Sequence, residues 1–350
     1  MIGSLFRLSS SFFSTSFLVI AYTIFSFNAS AGPSELGENT SRILGAIDLR
    51  MIVNDNFYCA PNSRTFDTQY ADSDHLLNVA SADTVAIFVH GFVTSKSGGR
   101  LNLSEMVDRW RYHIDLLEES KTTTSYCVVT WDTEFGFDDK DQTLSKLLSA
   151  IGITISDNRL GKEKKRIIVM GHSAGGNYIK YSHIRSQEIN AKIAPSIVKT
   201  FGGDIYDKNY YYRYITLSTP HLGTKVADNS QYTALFASIA ASLLFGDEGL
   251  NAVAVPASKA YTRGAKQLKS INQNEMLYSL NKDFITHKSK PVILAFGSHS
   301  DSMVNYESAT PYFTIPVNIN VTHDDFLRPQ ENRAFATFLL DIYNGTIKGD

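Results

Sequence analysis

The chain has 350 residues, 43% of them hydrophobic and 19% charged, an ordinary composition for a soluble globular protein. That length gives room for one large domain or two small ones, with a core of useful size. A formal net charge of −2 carries no basic footprint, which excludes nucleic acid as an expected partner.

Residues 1–31 differ from the rest. Arg7 is their one charged side chain, and Phe12 to Phe27 is apolar, diluted by Ser and Thr. Ala29-Ser30-Ala31 then offers a small-residue cleavage site, the layout of a secretory signal peptide. The apolar run is about 16 residues, short against the ~20 of a membrane span. The expectation is a secreted or periplasmic protein made of residues 32–350, with an uncleaved N-terminal membrane anchor as the alternative. No cysteine follows the apolar run, so lipid attachment there has no support.

Residues 43–58 read as one or two strands, and a regular alternation then begins. The run at 84–91 is a short buried strand bounded by glycine. Residues 101–120 set Leu103, Met106, Val107, Trp110, Ile114 and Leu117 on one helical stripe. A strand follows at 125–132. Leu144, Leu147, Leu148, Ile151 and Ile155 then recur at helical spacing within 140–155. The pattern continues with a strand at 166–171 and a helix at 174–188. Further strands fall at 212–219, 291–298 and 312–321, and a closing helix at 332–343. Strands alternating with helices predict an α/β fold, a mostly parallel sheet covered on both faces. About 70 residues separate the strands at 212–219 and 291–298, too many for a bare crossover, so a cap or lid insertion is expected over about 222–288.

The two cysteines, Cys59 and Cys127, both follow the signal segment. In an exported chain they can pair, closing a loop of about 70 residues. Two separate buried thiols are the other reading.

At 171–175 the sequence reads Gly-His-Ser-Ala-Gly, after a buried strand and before a helix. A tight strand-to-helix turn would lift Ser173 out of the sheet in a strained conformation, with Gly171 and Gly175 removing side chains that would collide. Ser173 is therefore the candidate nucleophile. His90-Gly91 ends the strand at 84–91, which makes the N–H groups of Phe92 and Ala174 the candidate oxyanion donors. Among nine histidines, His323 is the one placed after all the strands, in a loop before the closing helix, and it is the candidate base. Asp301, in the loop after 291–298, is the candidate acid, with Glu307 in reserve and His299 as the rival base. His172 and His221 adjoin strand ends and read as local hydrogen-bonders.

These residues resemble the α/β-hydrolase superfamily, and within it secreted lipases and esterases. The resemblance rests on His90-Gly91-Phe92, on the run 171–176 around Ser173, and on Ser-Thr-Pro-His-Leu-Gly-Thr at 218–224. Residues 264–281 are also similar to the helical segment such enzymes carry ahead of the acid-bearing strand. The resemblance implies an α/β-hydrolase fold over roughly 80–345 and cleavage of lipid-type carboxylic esters through an acyl-enzyme. A serine peptidase or amidase on this fold, and a non-catalytic binding protein, are the competing readings. An exopeptidase needs a carboxylate pair for a peptide amino terminus, and no motif for one is visible. No metal-ligand spacing stands out, so neither a metal nor a cofactor is expected. The expected partner is an ester or lipid substrate at a lipid–water interface.

Residues 231–246 hold no charge. At helical spacing Leu235, Phe236, Ile239 and Leu243 form an aliphatic stripe suited to lining an acyl pocket. A mobile lid and a fixed cap are both open readings of this stretch.

Overall fold

Each short apolar run becomes a strand because it carries two alternating apolar sets, one for each face of a sheet covered on both sides. In β2 (Thr84–Val89), Val85, Ile87 and Val89 enter one core while Ala86 and Phe88 enter the other. The computed structural model describes residues 56–60, 84–93, 99–120, 124–137, 142–148, 166–193, 211–228, 263–287 and 292–346. The described strands are β1 (Phe57–Ala60), β2, β3 (Thr124–Val129), β4 (Arg166–His172), β5 (Tyr211–Leu217), β6 (Val292–Gly297) and β7 (Ile315–Asn318). They form one sheet in the order β1-β3-β2-β4-β5-β6-β7. Only β1 pairs antiparallel; the other described pairs are parallel.

The helices divide between the faces. Helix α1 (Leu103–Glu118) follows β2 and buries Met106, Val107, Trp110, Ile114 and Leu117 in the core that also receives α4 (Arg333–Asn344). Asn102 and Glu105 cap the first turn of α1 reciprocally, which satisfies backbone N–H groups the helix itself leaves open. Helix α2 (Gly175–Ile193) follows β4 and packs on the opposite face with α3 (Glu275–Thr286). The loops after β2 and β4 thus leave neighbouring parallel strands toward opposite faces. Such a reversal of direction at the carboxyl edge is where ligands of open parallel sheets bind.

One element departs from the sequence expectation. Strand β7 is four residues, not ten: Thr314 N closes a turn on Pro311 O before it, and Val321 N one on Ile319 O after it. The segment 264–281 is helical in pieces: the short helices Arg263–Lys266 and Ile271–Gln273 precede α3, which Asn274 caps by accepting from Leu277 N. The region 222–288 is described at both ends: Ala227, Leu268, Leu277, Leu280 and Phe284 join the main core. Residues 229–262, which include Leu235, Phe236, Ile239 and Leu243, lie outside the described residues, as does the segment 1–31.

Cys59 of β1 sits opposite Cys127 of β3, and the two are joined by a disulfide. The register resolves the choice the sequence left open. The bond spans 68 residues and ties the antiparallel edge strand to the parallel sheet. In the chain-entropy picture a loop of this length contributes on the order of 4 kcal/mol. Replacing both cysteines by serine should lower the unfolding free energy in urea by about that amount. Superimposable urea curves for the two proteins would contradict it.

Candidate active site

The β4–β5 register pairs Gly171 with Thr216 and His172 with Leu217. Ser173 follows at once with φ 52°, in the left-handed region an L side chain enters only under strain. Its N–H donates to Leu217 O at 2.8 Å, so the turn is anchored to the neighbouring strand. A Cβ on Gly171 would lie 2.6 Å from Ile179 Cδ1 of α2, and one on Gly175 2.6 Å from His90 O. The close approach of strand, turn and helix therefore requires glycine on both sides of the serine. Ser173 itself is 5% exposed.

Gly91 faces this turn: a Cβ there would lie 2.7 Å from Ser173 Cβ. His90 sets the peptide that follows. Its Nε2 accepts from Trp131 N at 3.2 Å, so the ring proton resides on Nδ1, which donates to Gly91 O at 2.7 Å. Gly91 O and Phe92 N belong to one trans peptide, so fixing the carbonyl fixes the opposed N–H. Trp131 Nε1 donates back to His90 O at 2.9 Å, and the Trp131 ring stacks on Tyr178 of α2 at 4.6 Å. Burial pushes His90 down to about 3. Ala174 stands at the head of α2, where first-turn N–H groups have no intrahelical partner.

Asp301 and His323 meet. His323 Nδ1 donates to Asp301 Oδ2 at 2.8 Å, leaving Nε2 as the ring atom that can take a proton. Asp301 Oδ1 accepts from Met303 N at 2.7 Å and Val304 N at 3.0 Å, and Oδ2 also accepts from Ser218 Oγ. Burial pushes the carboxyl up. The hydrogen bond and charge of His323, then the hydrogen bond of Ser218, outweigh it and hold the group below its usual range. Glu307 is exposed on the short helix Tyr306–Ala309, and the exposed His299 stacks on Tyr306 at 4.4 Å. Neither joins the Asp301–His323 pair.

Two buried histidines hold the loop that carries His323. His172 Nε2 donates to His323 O at 2.9 Å, and His113 Nε2 of α1 donates to Phe326 O at 2.8 Å. His172 is thus no local hydrogen-bonder: it joins the serine turn to a loop 151 residues away. His221 does bond locally, to Thr216 Oγ1 at 3.0 Å. No local pattern signals the His172 and Ser218 contacts, since both partners lie far along the chain.

The geometry brings together Asp301 and His323, and separately the turns of Gly91-Phe92 and Ser173-Ala174. Such a set can perform acyl transfer: a serine hydroxyl, an imidazole with one bare nitrogen, a carboxylate behind it, and backbone donors. Among the described residues no group of three His, Cys, Asp or Glu is arranged to hold a metal ion.

The model of a family described as "Putative serine esterase (DUF676)" matches residues 80–311, which include Ser173 and Asp301 and end before His323. No curated protein matches the chain. Solved structures that are similar include a hyperthermophilic esterase from the archaeon Pyrobaculum calidifontis, with 12% identity, 94% of this chain and 98% of that chain covered, and a TM-score of 0.43. Esterase B from Lactobacillus rhamnosis is 11% identical over 89% of this chain and 94% of its own, with a TM-score of 0.40. A lipase-esterase related protein from Clostridium acetobutylicum is 10% identical over 77% and 96%, with a TM-score of 0.39.

Burial also sets how the fold responds to acid. It pushes His113 down to about 4, and holds His172 and His221 well below their usual value. With His90, four histidines stay neutral in the fold yet bind protons near pH 6.5 once unfolded. Their contribution is intact above about pH 6.5 and is lost as pH falls toward the folded values, at roughly 1.4 kcal/mol per pH unit for each histidine. The melting temperature, followed by circular dichroism, should be level from pH 8 to 7 and drop steeply between pH 6 and 4. A level profile down to pH 4 would contradict these neutral histidines.

Proposed function

The chain belongs to the DUF676 family, within the α/β-hydrolase superfamily, and from that premise we propose a serine hydrolase that cleaves carboxylic esters through an acyl-enzyme. One observation carries the reading. Ser173 is held at positive φ between glycines at the carboxyl edge of the sheet, the same edge from which the Asp301–His323 pair projects.

In this mechanism Ser173 Oγ attacks the ester carbonyl as His323 Nε2 takes its proton. Asp301 stabilises the imidazolium and keeps the ring in one tautomer. The N–H groups of Phe92 and Ala174 receive the oxyanion, a charge present only in the tetrahedral intermediate, each worth about 3–4 kcal/mol. The imidazolium then protonates the leaving alkoxide. Water, deprotonated by the same nitrogen, attacks the acyl carbonyl and releases the acid and Ser173.

For the substrate we propose a lipid-type ester, on the support of the uncharged stretch 231–246 and its apolar Leu235, Phe236, Ile239 and Leu243. Export is the matching proposal for location. It is supported by the signal-like segment 1–31 and by the Cys59–Cys127 disulfide, a bond kept in oxidising compartments.

Ser173→Ala should lower ester turnover on the order of 10⁴-fold and abolish labelling by a fluorophosphonate, with an unchanged circular dichroism spectrum. Full turnover in this variant would end the nucleophile assignment. Asp301→Asn should cost a similar factor, on the order of 10⁴. Glu307→Gln should leave turnover unchanged, and the reverse outcome would move the acid. The lipid reading expects a step in activity as an ester passes from monomers to micelles, and a preference for long acyl chains over acetate. Plain saturation with best turnover of acetate would favour a soluble-ester hydrolase.

A further inference from the structure

Among the described residues three that are not glycine have positive φ: Gln142, Ser173 and Ser218. Ser173 has its explanation in the candidate nucleophile turn. Ser218, at φ 48° and fully buried, has none in that scheme. Glycine would occupy this backbone conformation without the steric cost of a Cβ. A serine there implies a use for the hydroxyl, since strained non-glycine residues gather where function over-determines them.

The hydroxyl donates to Asp301 Oδ2, the oxygen that also accepts from His323 Nδ1. With Met303 N and Val304 N on Oδ1, the carboxylate receives two donors on each oxygen. Four donors from three directions leave it no rotation that keeps them all. Three of the four come from the acid's own loop or from the base. Ser218 is the tie from the neighbouring strand end, and its backbone is itself anchored, with Ser218 N donating to Phe296 O at 2.8 Å.

We propose that Ser218 is a positioning residue of the hydrolytic site, whose hydroxyl fixes the Asp301 carboxylate on His323 and draws off part of its charge. The inference rests on the serine-hydrolase reading above. Without the hydroxyl the carboxylate keeps only its own loop and His323 as partners and turns more freely, so His323 Nε2 is less well aimed.

The test compares wild type, Ser218→Ala and Ser218→Gly, with 4-nitrophenyl butanoate as substrate and a fluorophosphonate as label. Both variants should lower kcat about tenfold to a hundredfold, the span of a hydrogen bond to a charged group, with KM unchanged. The low-field proton resonance of the His323 Nδ1–H should shift, a readout that needs no substrate. Ser218→Gly should melt above Ser218→Ala, because it alone relieves the left-handed strain, so the glycine variant serves if the alanine one folds poorly. Wild-type kcat and low-field resonance in Ser218→Gly would reduce Ser218 to a backbone position and overturn the inference alone. A wild-type chain that neither takes the label nor cleaves the ester would overturn the serine-hydrolase reading, and this inference with it.

Discussion

The amide of Ser173 donates to the carbonyl of Leu217 at 2.8 Å, and the rest of the site depends on that bond. It extends the β4–β5 ladder one residue past the last paired couple, His172 and Leu217, while the chain is already turning into α2. The turn has nowhere to relax: Val89 O and His90 O lie against Gly175, and Ile179 lies against Gly171. Positive φ at Ser173 is the consequence. Packing on both faces of the sheet supplies the stability that holds it, since a strained residue persists only where its surroundings leave no alternative.

Histidines do the secondary holding, and they do it neutral. His90, His113 and His172 each use one ring nitrogen on a backbone carbonyl, at Gly91, Phe326 and His323. A neutral imidazole suits this work because it offers one donor and costs less to bury than a charged group. His323 differs in having a carboxylate on its Nδ1. The same side chain therefore serves as a fixed strut in three places and as the partner of a buried carboxylate in the fourth. The environment, not the residue type, separates the roles.

Much of this was legible in the sequence, for a physical reason. Buried parallel strands read as short apolar runs, and a glycine on each side of Ser173 marks a turn too tight for a Cβ. Asp301 and His323 were legible from order along the chain, because parallel strands deliver successive loops to one edge. The cysteine pairing was not legible. It depends on the register that sets Cys59 opposite Cys127, and a one-residue slip would separate them. The break at Asn274 was hidden because likeness to a helical segment sets no boundaries, and the asparagine caps a new helix within it. The reach of His172 to His323 and of Ser218 to Asp301 was hidden for a different reason: each is a contact between a strand end and a distant loop, and no local periodicity encodes it.

The two strained serines are one device used twice. Strands β4 and β5 end on a paired couple, His172 with Leu217, and the next residue of each strand turns left-handed. Each then donates its amide across to the following strand end, Ser173 to Leu217 and Ser218 to Phe296. The steps run in one direction along the sheet edge, from β4 to β5 to β6. The first step turns out the candidate nucleophile. The second turns a hydroxyl onto the carboxylate that follows β6. In a parallel sheet every strand ends at the same edge with its carbonyls unpaired on the far side, so one local solution can recur from strand to strand. Here the recurrence links the candidate nucleophile turn to the candidate acid through two backbone bonds and one hydroxyl, and the imidazole of His323 is brought in from the loop beyond β7.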